Sequence, residues 1–194
     1  MAEAWVWLAQ AIWLMLPAYA ANMSAVKLGG GTPMDFGKVL RDGRRVFGPG
    51  KTWRGFLLGG LAGVLVGAAL HALAPLAGNG LTDFGPGAAW VPIAAGLAFG
   101  ALLGDATKSF VKRRVGKERG AAWYGPDQLD FVLGAWALAL LLGEAAIWAG
   151  LAQENWLRAT LTLPLAVIIL VLTPALHLAT NWLGHRYGHK EVPW

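Results

Sequence analysis

The sequence predicts an all-α integral membrane protein, a bundle of about five transmembrane helices with two large cytoplasmic loops. Three observations support this fold class. Of the 194 residues, 56% are hydrophobic and 14% are charged, whereas soluble domains carry about 25% charged residues. Five apolar stretches approach the length of about 20 residues that a membrane-spanning helix needs. No sustained alternation of polar and apolar residues indicates a strand.

The apolar stretches predict the helices in chain order, at 5–23, 56–74, 90–104, 131–151 and 162–183. The first follows Glu3 without a basic region, which favours a retained helix over a cleaved signal peptide. The third is short for a span, and we expect the following segment to complete part of it. Gly59, Gly63 and Gly67 recur at every fourth position, which predicts close helix packing. Without internal repeats, residues 1–194 are expected to form one transmembrane domain.

Positive charge lies almost entirely on one side of this predicted bundle. Of 16 Lys and Arg residues, seven lie at 27–54, six at 108–119 and two in the C-terminal tail, which leaves Arg158. Basic loops stay in the cytoplasm, so we predict a multi-pass protein of the cell membrane with its N-terminus outside and its C-terminus inside. The net charge of +5 favours phosphates, nucleotides or acidic headgroups as partners, and nucleic acid is not expected.

The segment GPGKT at 48–52 superficially matches a phosphate-binding P-loop. That loop would need glycine at position 45, between a strand and a helix, but Arg45 stands there and no strand is predicted. The glycines still predict a turn. They precede a helix whose N-terminus, with Lys51 and Arg54 nearby, would attract anions. The alternative is that these two cations only anchor the helix to headgroups.

The segment 105–130 combines cations and carboxylates. If residues from 105 onward are helical, one face carries five polar side chains, namely Asp105, Lys108, Ser109, Lys112 and Arg113. Asp127 and Asp130 share a face after Pro126, a residue typical of a helix start. Carboxylates with open positions for water and phosphate are typical Mg²⁺ ligands. The alternatives are helix capping for the acids and membrane anchoring for the cations. The absence of cysteine excludes disulfides, thiolate metal sites and a Cys nucleophile.

These motifs resemble those of the CDP-diacylglycerol synthase superfamily. The matching segments are GKTWRGFLLGG at 50–60, GD followed by KSFVKRR at 104–114, and GPDQLDF at 125–131. Gln128 stands where the bacterial and eukaryotic members have Arg. Together with PAYAAN at 17–22 and the short five-helix chain, this form is most similar to the archaeal branch, the CDP-archaeol synthases.

The resemblance implies a CTP-dependent nucleotidyltransferase of membrane phospholipid biosynthesis. It would convert CTP and an isoprenoid glycerol ether phosphate lipid, in the bilayer, to a CDP-lipid and pyrophosphate with Mg²⁺. On this hypothesis Asp105, Asp127 and Asp130 hold one or two Mg²⁺ ions, and Lys112 and Arg113 stabilise pyrophosphate or lipid phosphate. The remaining contacts to phosphate would come from Lys51, Thr52, Arg54, Ser109 and Asn22.

Two rival functions follow from the same features, a CDP-alcohol phosphotransferase-like lipid enzyme and a small anion transporter. The phosphotransferase pattern Asp-Gly-x-x-Ala-Arg is absent. The segment that starts with Asp42 and Gly43 matches only the first two residues of this pattern. A transporter would have polar groups distributed along its membrane-spanning helices. In this sequence Glu144 is the only charged residue predicted to lie far inside a span. For Glu144 we favour a structural pairing over a role at a lipid entrance. The sequence leaves open the lipid tails, the choice between CTP and dCTP, and the oligomeric state.

Overall fold

A computed structural model describes residues 2–77, 81, 83–117, 121, 123 and 125–187. Within these ranges the chain forms six helices and no strand, with two isolated β-bridges that join Pro33 to Thr52 and Val39 to Arg45. The helices are α1 (Ala2–Leu28), α2 (Trp53–Ala77), α3 (Trp90–Arg114), α4 (Pro126–Trp148), α5 (Trp156–Thr160) and α6 (Leu163–Arg186). The prediction of an all-α protein is confirmed.

The long helices coincide in position with the five predicted apolar stretches. By length and composition, α2, α3 and α4 can each cross a membrane, and α6 contains the shorter apolar segment Leu163–Ala179. The third stretch was predicted to end at Gly104, but α3 continues to Arg114, so the following segment does lengthen it. Asp105 therefore lies inside a continuous helix, with the basic residues on its last turns.

Glycines allow the helices to approach each other closely. A Cβ atom on Gly63 would lie 2.5 Å from the carbonyl oxygen of Pro17 in α1, and one on Gly67 would lie 2.5 Å from Ala94 Cβ in α3. Real Cβ atoms essentially never come within 3.0 Å of a heavy atom of a packed neighbour, so only glycine fits. The packing predicted for this ladder is confirmed, and α2 lies directly against both α1 and α3.

Glu144 is paired at the other end of α4. Its Oε1 atom accepts a hydrogen bond of 2.9 Å from Asn155 Nδ2 and lies 2.5 Å from Arg158 Nη2. Asn155 also caps α5 by accepting from the backbone N–H of Arg158. The structural pairing that we favoured for Glu144 is present, and the pair fixes the short α5 against α4.

Candidate active site

Three carboxylates from two helices surround a single ammonium group. Lys108 Nζ on α3 lies 3.1 Å from Asp105 Oδ1, 3.4 Å from Asp127 Oδ1 and 2.8 Å from Asp130 Oδ2. Asp105 is one helical turn before Lys108, and the other two acids lie in the first turns of α4. The structure thus brings together the acids that the sequence placed on two separate helix faces. It also puts between them a lysine to which the sequence analysis gave no role.

Two further lysines complete the cluster. Lys51 forms an ion pair with Asp105. Lys112 is buried, and its Nζ lies 2.7 Å from Asp127 Oδ1 and donates to the carbonyl of Ala121 at 2.7 Å. The three lysines balance the charge of the three aspartates. Ions removed from water need such partners, because an unpaired buried charge is strongly destabilising.

A polar cavity of about 190 Å³ opens beside this cluster, between the loop before α2 and the helix α3. Four cationic side chains and one carboxylate are among its lining residues, which are Phe47, Gly48, Pro49, Gly50, Lys51, Asp105, Lys108, Ser109, Lys112 and Arg113. Gly48 has a φ of +95°, which favours glycine. The turn predicted for this segment is therefore one wall of the cavity. The excess of positive charge suits an anionic ligand such as a polyphosphate.

Asp35 organises the loop that carries this wall. Its buried carboxylate accepts hydrogen bonds from the guanidinium of Arg45 and from the backbone N–H groups of Gly37, Phe47 and Gly48 at 3.0, 3.1 and 2.9 Å. Burial alone would raise the pKa of Asp35, but these donors outweigh it and hold the pKa well below its usual range. The sequence analysis missed this residue. The available signal was Asp followed two positions later by Gly, the pattern of an Asx-turn.

Polar contacts also attach this loop to the end of α3. Arg114 Nη1 lies 2.8 Å from Asp42 Oδ1, and its Nη2 donates to the carbonyl of Arg45 at 2.6 Å. In return, Arg44 Nη1 donates to the carbonyl of Arg113 at 2.9 Å. Charged hydrogen bonds hold the loop beside the site, together with ring contacts of Phe47 to Phe110 in α3 and of Phe36 to Trp53 in α2.

Two of the other predicted ligands have structural partners. Thr52 is buried and caps α2, since its Oγ1 accepts from the N–H groups of Gly55 and Gly30 at 3.1 and 3.2 Å. The Ser109 hydroxyl donates to the carbonyl of Asp105 at 2.9 Å, while the residue still lines the polar cavity. The Ser109 hydroxyl could give up this hydrogen bond to the preceding helical turn and bind a ligand instead, because side-chain hydrogen bonds of this kind contribute little to helix stability.

Asn22 and Arg54 lie outside the polar cavity. Asn22 lines a smaller cavity of about 70 Å³, to which Lys51, Thr52 and Asp105 also contribute. Arg54 is exposed in the first turn of α2 and is absent from the described residues that line either cavity. The structure therefore puts Asn22 next to the cluster and Arg54 outside it.

Gln128 has a local role that explains its place in the motif. Its buried side chain accepts a hydrogen bond from the N–H of Gly125 at 2.5 Å, one turn before it. This capping interaction starts α4 at Pro126. An arginine has no acceptor atom and could not make it. The helix start in turn fixes Asp127, whose Oδ2 accepts from the N–H of Trp123 at 2.7 Å.

The acids fit a divalent cation by their chemistry. Carboxylate oxygens are the ligands that Mg²⁺ prefers, and the side chain of Asp130, only 7% exposed, has an Oδ1 atom without a hydrogen-bond partner. Within the described ranges, however, no three His, Asp or Glu side chains already stand as a metal-binding group. Lys108 supplies the positive charge between them instead.

An apolar groove of about 560 Å³ runs between α3 and α4 from the same cluster. Its charged lining residues are Lys108 and Asp130, and its apolar wall includes Leu103, Val111, Leu133, Leu138 and Leu141. Lys108 lines both this groove and the polar cavity. A polar cavity and an apolar groove therefore meet at one side chain.

Comparisons with known proteins show the family of the chain. Residues 5–194 match the family model CarS-like: CDP-archaeol synthase. The chain is 46% identical to the CDP-archaeol synthase of Methanoculleus marisnigri, over 93% of this chain and all of that protein. It is 49% identical to the enzyme of Halobacterium salinarum, over 95% of each chain.

A solved structure is similar as well. It was described as giving structural insight into an intramembrane enzyme for archaeal membrane lipids biosynthesis. The TM-score is 0.66 at 40% sequence identity, over 90% of this chain and 94% of that one. The helices described above thus have a counterpart in an intramembrane enzyme, and the chain is a membrane-located, CTP-dependent nucleotidyltransferase of lipid biosynthesis. It belongs to the CDP-archaeol synthase family.

Proposed function

We propose that the chain transfers the cytidylyl group of CTP to an unsaturated isoprenoid glycerol diether phosphate, giving the CDP-lipid and pyrophosphate in a reaction that depends on Mg²⁺. The observation that supports this most directly is the position of Lys108, which lines both the polar cavity and the apolar groove. One substrate is a water-soluble polyanion and the other is anchored in hydrocarbon. Their reacting phosphates have to meet where two such environments join.

The chemistry requires little proton transfer. An oxygen of the lipid phosphate attacks the α-phosphorus of CTP, and the bond from that phosphorus to the oxygen bridging to the β-phosphorus breaks. The attacking phosphate is largely ionised at neutral pH, because its second pKa is about 6. No general base is needed, and no histidine is among the described residues that line the polar cavity. Catalysis then consists of positioning and of charge stabilisation.

The cations of the polar cavity have distinct places in this scheme. Lys51, at the turn before α2, and Ser109, on α3, hold the triphosphate. Lys112 and Arg113, which also line the cavity, stabilise the charge that develops on pyrophosphate. Thr52 and Asn22 support the Lys51 side of the cluster. Arg54, which is exposed, lies where it would contact headgroups or incoming nucleotide.

The magnesium ion would be held by Asp105, Asp127 and Asp130. When bound, it neutralises phosphate charge and polarises the oxygens that carry it. In a membrane the site would face the cytoplasm, where CTP is available, because the basic loops surround it. The N-terminus would then lie outside. The predicted cytoplasmic C-terminus, 188–194, lies outside the described residues.

The apolar groove provides a place for the isoprenoid chains. It contains Lys108 and Asp130 and extends along two helices that can cross a membrane. A lipid with its tails in the groove would hold its phosphate near Lys108. The volume of about 560 Å³ is in the range of about 300–1,000 Å³ typical of small-molecule sites.

The direct test is to incubate purified protein with radiolabelled CTP, Mg²⁺ and a panel of lipid phosphates with ether-linked or ester-linked chains. We expect label in a CDP-lipid and release of pyrophosphate, with the ether-linked isoprenoid phosphate as the best acceptor. Consumption of a supplied CDP-lipid with release of CMP would instead show a phosphotransferase. Anion flux into liposomes without nucleotide consumption would show a transporter.

A further inference from the structure

Lys108 is placed among the carboxylates like a bound cation. Its ammonium is within 3.4 Å of an oxygen of each of the three acids, and its side chain is only 15% exposed. Asp105 and Asp127 have a second lysine as partner, Lys51 and Lys112 respectively. For Asp130, Lys108 is the one cation in ion-pair contact among the described residues. Removing this ammonium would leave a buried carboxylate without charge compensation, which is costly.

The carboxylate oxygens are almost fully occupied by lysines. Lys108 contacts Asp105 Oδ1, Asp127 Oδ1 and Asp130 Oδ2. Lys51 contacts Asp105 Oδ2, and Lys112 contacts both oxygens of Asp127. Five of the six oxygens therefore have an ammonium partner. The sixth, Asp130 Oδ1, has neither an ion pair nor a hydrogen bond within the described part of the chain.

We infer that Lys108 is a built-in cation of the site that takes the place of a second metal, so that one divalent cation binds together with CTP. The inference rests on the function proposed above. The free oxygen of Asp130 gives a single ion a point of entry. Asp105 and Asp127 can share their oxygens between a lysine and this ion, because a carboxylate oxygen has two lone pairs. Phosphate oxygens and water complete the coordination, as Mg²⁺ usually requires. A second ion would have to displace Lys108 from all three carboxylates at once.

The number of bound metal ions tests this inference without turnover. Mn²⁺ is titrated into detergent-solubilised protein with saturating CTP and no lipid, and free Mn²⁺ is measured by electron paramagnetic resonance. We expect one Mn²⁺ per CTP-bound chain for the wild type and two for Lys108→Met, because the neutral side chain vacates a position among three carboxylates. Lys38→Met removes an exposed lysine of the α1–α2 loop and is the matched control, with one ion expected.

Two results would overturn the inference, a wild-type count other than one and a count for Lys108→Met that stays at one. If Lys108→Met does not fold, Lys108→Arg retains the charge and must still bind one Mn²⁺; a count of two for this variant also rejects the idea. The same wild-type preparation is assayed for CDP-lipid formation. Absence of product would reject the proposed function, whereas product formation with two bound ions would reject only the role of Lys108.

Discussion

Gly104 on α3 touches the backbone of Asp130 on α4. A Cβ atom on Gly104 would lie 2.2 Å from the carbonyl oxygen of Asp130 and 3.2 Å from Gly134 Cα. One turn earlier on α3, a Cβ on Gly100 would lie 2.4 Å from the carbonyl oxygen of Gly134. The two helices therefore meet without side chains between them. This approach brings Asp130 within reach of Lys108.

Substitution Gly104→Ala should separate the helices where the acids meet. Overpacking of a tight contact costs about 1–3 kcal/mol, and the shift moves Asp130 away from Lys108. We expect a lower unfolding temperature in detergent together with a large loss of CDP-lipid formation. The control is Gly143→Ala. The three heavy atoms nearest to its Cβ would belong to the side chain of Asn155, the closest at 2.7 Å, so this variant should cost stability with a smaller loss of rate. Equal rates for both variants would contradict this positional role.

Asp130→Asn tests the carboxylate that has the free oxygen. The amide is uncharged, so it neither balances Lys108 nor offers an anionic ligand to a metal. We expect CDP-lipid formation to fall at least about 10²-fold, comparable to loss of one electrostatic contact to a transition state, with membrane insertion unchanged. Rates are measured over a range of Mg²⁺ concentrations, since the defect should persist at saturating metal.

The control for that variant is Glu144→Gln. Its carboxylate is 36% exposed and pairs with Arg158, whose side chain is 69% exposed, and exposed pairs contribute about 0–1 kcal/mol. A near wild-type rate is expected. If Asp130→Asn also turned over at the wild-type rate, the assignment of Asp130 to the metal would be wrong.

The sequence predicts those features of the site that depend on one helix. Helical spacing places Asp105 and Lys108 on one face, and Pro126 marks the start of α4. The position of Lys108 between acids of two helices depends on helix register, which a single sequence does not encode in its periodicity. Gly104 was not singled out either, because a glycine's packing role depends on what lies opposite it.

The loop before α2 shows a second limit. Its composition is poor in apolar residues, and a sequence pattern does not reveal that one carboxylate collects three backbone N–H groups and a guanidinium. The same holds for Thr52, which resembles a phosphate ligand in sequence but caps α2 in the structure. In both cases the side chain serves a nearby backbone group and also a distant one, and only the nearby one has a local sequence signal. The distant partner of Thr52 is Gly30, and those of Asp35 are Phe47 and Gly48.

Asp35→Asn should weaken the loop in a pH-dependent way. The folded pKa of Asp35 lies below its usual value of about 4. The ionised carboxylate therefore stabilises the fold in full at pH values above the usual pKa of about 4. The stabilisation is lost as the pH falls through the folded pKa. We expect a constant difference in unfolding temperature between wild type and variant from about pH 5 to 8, narrowing below about pH 4. A difference that changes between pH 5 and 8 would assign the stabilisation to another group.

Filling the apolar groove should affect only the lipid substrate. Leu133 lines the groove on α4 and is 55% exposed, so Leu133→Trp narrows the groove without disturbing the core. The expected result is a several-fold higher KM for the lipid phosphate in mixed micelles and an unchanged KM for CTP. Leu61→Trp is the matched control, because Leu61 is 52% exposed on α2 and lies outside the groove. Should both variants raise the lipid KM equally, the tails bind elsewhere; a selective effect at Leu133 would show that the groove holds the chains beside Lys108.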